Sequence, residues 1–403
     1  MKRATTLPEF LPNKRPREGV VTFEAAAMKG GAIGGPATRL LGPDLARGSM
    51  LLVIAAAHAP AYLSSTPSMG THRGLDQVTD VVSVLLVEGR GYPVFAALFG
   101  YGVIQVVRRW PVEEGSGAAL AMLRRRGAWL VVFGAVHAAL LWSGDILGAY
   151  GVLLLGGASL MVGGGDRTLA AVAALSCVVV GLGGASMAAV RSSSPDAALP
   201  AWGAVGQRLA EWAPSLVLQP LGLLGAALIG VLAARRRVLE EPQRHSRLLF
   251  GVAVGGLGAA VVGGIPRTLI DQGVVQATST MTAAAGGLHS ITGYGGIGYA
   301  ACAALAATAL SSSGRITRAV AACGQRSLTS YLGQSVLFTA IMSPSLGRLG
   351  DRLGSAGAAA VAVVVWGSTV AAAELMRRRG IRGPAESLLR RLVGRPQRQR
   401  RRT

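Results

Sequence analysis

Five residues have the types and spacing to carry chemistry inside apolar sequence. Arg47 and His58 lie eleven residues apart in ARGSMLLVIAAAHAP (residues 46–60). On a helix that spacing is a rise of roughly 16 Å, about half the hydrocarbon thickness of a bilayer. An arginine at a membrane edge can hold a phosphate or carboxylate, and an imidazole near the midplane can act as general base or nucleophile. His137 and Asp145 follow in GAVHAALLWSGDILGAYG (134–151). Ionisable groups are costly in hydrocarbon, so each needs a reason. Asp145 suits capping the free amides of a helix that starts there. Capping cannot explain His137, which is expected near mid-membrane and in need of a partner. Along a continuous helix the two would stand about 12 Å apart in rise, so they are not expected to pair. The fifth residue, His289, is placed at an interface.

Two further stretches add polar groups. Arg124, Arg125 and Arg126 precede the His137 run and could join Arg47 in binding an anionic donor. GQRSLTSYLGQS (324–335) gathers hydroxyls at the start of an apolar run. Ser327, Thr329 or Ser330 would cap that helix, and Tyr331 and Gln334 would line a head-group site. Ser335 is polar at shallow depth. Glu374, ahead of Arg377, Arg378 and Arg379, reads as one half of a surface ion pair.

The elements that must hold these residues are membrane helices. The chain is 51% hydrophobic and 15% charged, against about 25% charged in soluble domains. From Gly127 to Met161 the single charge is Asp145. Ten apolar runs are candidate spans: 50–66, 91–108, 127–143, 145–163, 168–190, 214–234, 248–265, 288–310, 328–345 and 355–375. The expected fold is all-α, a polytopic bundle of about ten transmembrane helices over 41–394. Residues 1–40 read as a disordered basic leader and 395–403 as a basic tail, with translation starting at Met1 or at Met28. Residues 75–89, with Asp76, Asp80 and Glu88 among apolar positions, read as an interfacial amphipathic helix. Placing the amino terminus inside leaves only Arg73, Arg90, Arg191, Arg208, Arg267, Arg348 and Arg352, of 40 Lys and Arg, on the outer side. The positive-inside rule therefore puts both termini in the cytoplasm.

The net charge of +21 is accounted for by these orientation signals and by anionic lipid, which excludes nucleic acid as the expected partner. Cys177, Cys302 and Cys323 show no disulfide or zinc spacing and read as free, buried thiols, the last in a basic loop. No metal site is expected. Lys2, Lys14 and Lys29 are the only lysines, which together with abundant Ala, Gly and Val hints at a GC-rich bacterial host.

Five segments together resemble the YeiB-like bacterial membrane proteins, the family of domain of unknown function 418. They are LGPDLARGSMLLVI (41–54), YPVFAALFGYG (92–102), RRRGAWLVVFGAVHAALLWSGDILGAYGVLLL (124–155), GQRSLTSYLGQS (324–335) and RGPAESLLRRLVG (382–394). Ser387 stands where the family usually has an aromatic. The family is in turn similar to membrane acyltransferases, among them O-acetylases in which an Arg, ten residues and a His form a functional motif. Arg47 and His58 match that spacing. The resemblance implies acyl transfer at the cell membrane, from cytosolic acyl-CoA near Arg47 and Arg124–Arg126 to an extracytoplasmic hydroxyl on a glycan, lipid or metabolite near Asp145. His58 would be base or acyl carrier and His137 its assistant, with acyl-CoA as co-substrate and no bound cofactor. An alternative stays open: a transporter or exporter using the histidines as a proton relay.

Overall fold

The computed structural model describes residues 41–63, 73–111, 115–189, 201–310 and 314–394. The expected leader, the tail and His72 lie outside these residues. Among the described residues the chain is helical throughout, with no strand. The elements run α1 (Leu41–His58), α2 (Arg73–Val82), α3 (Gly91–Arg108), α4 (Gly115–Leu140), α5 (Leu147–Gly163), α6 (Asp166–Ala189), α7 (Ala201–Arg235), α8 (Ser246–Asp271), α9 (Ser279–Thr292), α10 (Ile297–Ala309), α11 (Arg315–Gln325), α12 (Ser327–Met342), α13 (Ser355–Arg378) and α14 (Pro384–Val393).

The packing is that of a membrane protein. Five helical stretches are long and apolar enough to cross a bilayer: Gly74–Arg108, Asp166–Ser186, Ala204–Arg235, Ser246–Asp271 and Ser355–Arg378; α5 is apolar but shorter. The first of them is interrupted at Gly89. Large apolar side chains point outward from these stretches, including Leu182 (65% exposed), Phe250 (63%) and Val217 (66%). An apolar exterior on this scale is costly in water and expected against lipid. Small residues let the helices touch inside. A methyl on Gly100 or Gly230 would strike the backbone of Ala227 or Ala97, so α3 and α7 cross at backbone contact. Gly127 and Gly151 oppose one another in the same way between α4 and α5, a small-residue seam of the kind that brings membrane helices together.

Where an interfacial helix is expected over 75–89, the chain forms α2, extended by a π turn over Ser83–Val87. Leu75, Val78, Val82 and Leu86 face outward in one stripe. On another side, Asp76 accepts the Ala356 amide at 2.8 Å and so caps α13. Gly89, at φ +71°, takes the left-handed turn that admits glycine at little cost. Arg90 follows. It sits in the turn ahead of α3, yet its side chain is fully buried and donates to the carbonyls of Leu85 (3.3 Å), His289 (3.0 Å) and Ala260 (2.7 Å). His289 is likewise buried among the helices, with Nδ1 3.3 Å from Arg90 Nη2.

Other boundaries also differ. The first span begins at Leu41 and gives way after His58 to a 3-10 turn over Ala59–Tyr62. The expected 288–310 helix is broken at Gly293–Gly296, where Gly293 and Gly296 press on the Gly89 and Arg90 backbone. The basic loop at 315–326 is helix α11, which lays Val320, Ala321, Ala322 and Cys323 inward. Its Val320 carbonyl lies against Gly48 of α1. Cys323 is therefore a buried helical thiol, whereas Cys302 is exposed; all three cysteines are free. Glu374 pairs with Arg377 (2.6 Å) and Arg378 (2.9 Å) as expected.

Candidate functional site

Helix α4 carries His137 one turn after Gly134 and ends at Leu140. The chain then reverses through residues 141–146 and enters α5. Reversal is possible because Gly134 has no side chain: a methyl there would collide with the Asp145 carboxylate and the Gly148 amide, at 2.5 Å from the latter. Asp145 folds back over that gap. Its Oδ2 accepts the Gly148 amide at 2.9 Å, the capping role expected of it. Its Oδ1 lies 3.0 Å from His137 Nδ1, a close contact that is not aligned as a straight hydrogen bond. The expectation that the two residues stay apart is overturned, because the rise argument assumed one continuous helix. Asp145 is wholly buried and so faces no outer vestibule.

The other ring nitrogen of His137 meets a residue from a distant helix. Nε2 lies 2.8 Å from Ser335 Oγ on α12, 198 positions along the chain. Ser335 has a second contact, to the Tyr331 carbonyl of its own helix, at the longer distance of 3.5 Å. Acid, imidazole and hydroxyl thus form a chain in which all three residues are buried. Sequence reasoning gave Ser335 no role. Its signal is a Gln-Ser pair inside an apolar helix, but nothing in the spacing ties it to His137.

Tyr331, one turn before Ser335, joins the two histidines. Its ring centroid is 5.2 Å from that of His137 and 6.1 Å from that of His58. His58 also lies against Trp142, at 4.2 Å. His58 is half-buried at the end of α1. The structure therefore sets His58 and His137, the two histidines expected to act together, on either side of Tyr331, and adds Asp145, Trp142 and Ser335 around them. Gln334 is buried beside them and donates to the Leu51 carbonyl at 3.3 Å, which makes it a tie between α12 and α1.

A cavity of about 560 Å³ leads to Tyr331, within the range of sites that enclose a small molecule. Arg109, Arg126 and Arg390 mark its exposed end, with Arg47, Asp44 and Gln325 just inside; Phe95, Leu98, Phe99, Leu123, Leu130 and Leu154 form an apolar wall; Ile146, Leu147 and Tyr331 close the far end. Arg47 donates to the Leu98 carbonyl at 3.3 Å and pairs with Asp44 at 3.5 Å. Gly102 leaves room for its guanidinium.

The arginine triplet does not act as a group. Arg126 lines the cavity, Arg124 donates to Ser159 at 3.0 Å, and Arg125 donates to the Val393 carbonyl at 2.9 Å. Successive helical residues point about 100° apart, so three in a row cannot face one cavity. Arg390, to which sequence reasoning assigned no role, takes a place at the rim.

The start of α12 is not capped by its own hydroxyls. Glu386 of α14 accepts the amides of Leu328 (2.9 Å) and Thr329 (3.1 Å) and the Thr329 hydroxyl (2.5 Å). An acid at a helix start meets both its bare amides and its positive dipole end. Among the described residues no cluster of His, Cys, Asp and Glu is arranged to hold a metal ion.

Fold and site define a multi-pass helical membrane protein with an arginine-rimmed internal cavity and a buried acid–imidazole–hydroxyl chain at its closed end. Residues 233–396 match the family described as Protein of unknown function (DUF418). Tyr331, Gln334, Ser335 and Glu386 fall inside the match; Arg47, His58, His137 and Asp145 lie before it. No curated protein matches the chain.

Proposed function

We propose that this protein transfers an acyl group from a cytosolic acyl-CoA to a hydroxyl group on the far side of the cell membrane. The observation that carries this reading is the cavity itself: arginines at one end, apolar walls along its length, and Tyr331 at the other end with both histidine rings beside it. Acyl-CoA has the same polarity order. Its phosphates are anionic, and its acyl thioester is the apolar, reactive terminus. Arg47, Arg126 and Arg390 would hold the phosphates on the cytoplasmic side, where the positive-inside rule puts the basic loops and both termini. His58, half-buried against Trp142, is the base or acyl carrier facing the acceptor. Asp145, being buried, serves His137 rather than the acceptor.

The test is release of free CoA by purified protein in lipid nanodiscs supplied with acetyl-CoA, wild type against His58→Ala. The expected result is release that the substitution removes while the protein stays folded. Full activity in His58→Ala would sink this mechanism.

The buried chain also favours a second reading, an exporter in which Asp145, His137 and Ser335 pass protons. Solute movement driven by a pH gradient in liposomes holding only this protein, with no CoA release, would replace the first reading by the second.

A further inference from the structure

We propose that Ser335 is a nucleophile, activated by His137 and Asp145, that carries the acyl group as an ester between donor and acceptor. The inference rests on the acyl-transfer reading and gives it a covalent intermediate, which makes Ser335 rather than His58 the acyl carrier and leaves His58 to hold the acceptor hydroxyl for attack. The order of groups is that of a hydrolytic triad, recognised by geometry and role rather than by chain order. Asp145 is fixed by the Gly148 amide and stands 3.0 Å from His137 Nδ1. The carboxylate beside Nδ1, close but not in line with its N–H, favours the tautomer protonated there, which leaves Nε2 with its lone pair toward Ser335 Oγ, at 2.8 Å.

A serine that merely satisfied itself in an apolar helix would bond the carbonyl four residues back. Here that bond, to Tyr331, is stretched to 3.5 Å, and the hydroxyl takes the imidazole instead. The site is dry, since Ser335, His137 and Asp145 are each at most 3% exposed, which protects an ester from water. It also lies one helical turn beyond the cavity's closed end. Tyr331 is the partition, and its hydroxyl, facing the Ile146 backbone, makes no well-aligned hydrogen bond to hold it there. The ring must turn aside for a thioester to reach Ser335.

The chemistry balances with an acyl thioester as donor. Ser335 Oγ bonds the acyl carbon as its proton passes to His137 Nε2. The carbon–sulfur bond breaks, and the thiolate leaves with that proton as free thiol. The acceptor hydroxyl then gives its proton to His137 and bonds the acyl carbon, and the returning proton restores the Ser335 hydroxyl.

The experiment treats nanodisc-reconstituted full-length protein with an alkyl fluorophosphonate, in which an activated serine displaces fluoride. Wild type, Ser335→Ala, His137→Gln and Asp145→Asn are compared, and the labelled residue is found by peptide mass spectrometry. The expected result is label on residue 335, absent in Ser335→Ala and slowed at least about a hundredfold in the other two. Ser335→Cys, a milder change, is expected to gain one acetyl group as a thioester from acetyl-CoA. CoA release is followed in parallel. Release without label on Ser335 or acetylation of the cysteine overturns the nucleophile and leaves acyl transfer standing. Label on Ser335 without CoA release upholds the nucleophile and removes acyl-CoA as the donor. Label that is indifferent to His137→Gln overturns the triad.

Discussion

Asp145 lies over Gly134, so that one carboxylate oxygen serves the Gly148 amide and the other reaches His137. The absence of a side chain at one position thus builds the acid–imidazole contact at two others. Gly134→Ala is expected to cost about 1–3 kcal/mol, the usual penalty for overpacking a tight contact. Gly156, with open space around its α-carbon, is the comparison: alanine there is expected to be neutral or to stabilise by about 0.5–1 kcal/mol. Thermal unfolding midpoints of both variants in one detergent check this. Equal midpoints would mean that the carboxylate does not sit over Gly134.

Glu386 is expected to matter through the start of α12. Glu386→Ala strips the cap from two amides and should cost about 1–2 kcal/mol. Glu386→Gln keeps an acceptor oxygen and loses only the charge near the helix dipole, so about 0.3–1 kcal/mol is expected. Denaturation curves that rank the two the other way would contradict the capping role.

The two neighbouring arginines should separate in binding. Arg126→Ala removes a cation from the cavity rim and is expected to weaken binding of CoA by roughly tenfold or more, the value of one charge-assisted hydrogen bond. Arg124→Ala acts on Ser159 and should leave binding unchanged. Calorimetric titration with CoA distinguishes them; equal losses would return the triplet to a single diffuse patch.

Orientation has its own test. In a background without Cys177, Cys302 and Cys323, Ser143→Cys is expected to react with an impermeant maleimide on intact cells. Arg379→Cys should react only after permeabilisation. The reverse pattern would invert the arrangement and put the arginine rim outside.

The helical class and most boundaries were legible because apolar run length is a local property. The 91–108 run and α3 coincide, and the Asp145 cap was readable from a single acid at the head of a run. What failed was non-local. The rise between His137 and Asp145 was reckoned along a helix that in fact ends at Leu140, and the reversal depends on a glycine whose role appears only when α5 packs on it. Ser335 could not be paired with a residue 198 positions away. Charge hid α11, because Arg315, Arg318 and Arg326 read as loop while Val320, Ala321 and Ala322 formed an inward face. Arg90 and His289 looked superficial because ionisable residues usually are; Arg90 is buried because backbone carbonyls accept its protons, and His289 because its ring meets the Arg90 guanidinium.

Helix α14 bonds α12 through Glu386 and α4 through Arg125, and Leu389, Arg390 and Val393 line part of the cavity. A chain is synthesised from its amino terminus, so this piece leaves the ribosome after every helix that bears a histidine or serine of the site. Until then a nascent protein has its membrane segments but an open side, with two bare amides at the head of α12. Closure of the cavity therefore waits on α14. A premature stop that removes only residues from 384 onward should give a polypeptide that inserts and yet never acquires an enclosed cavity.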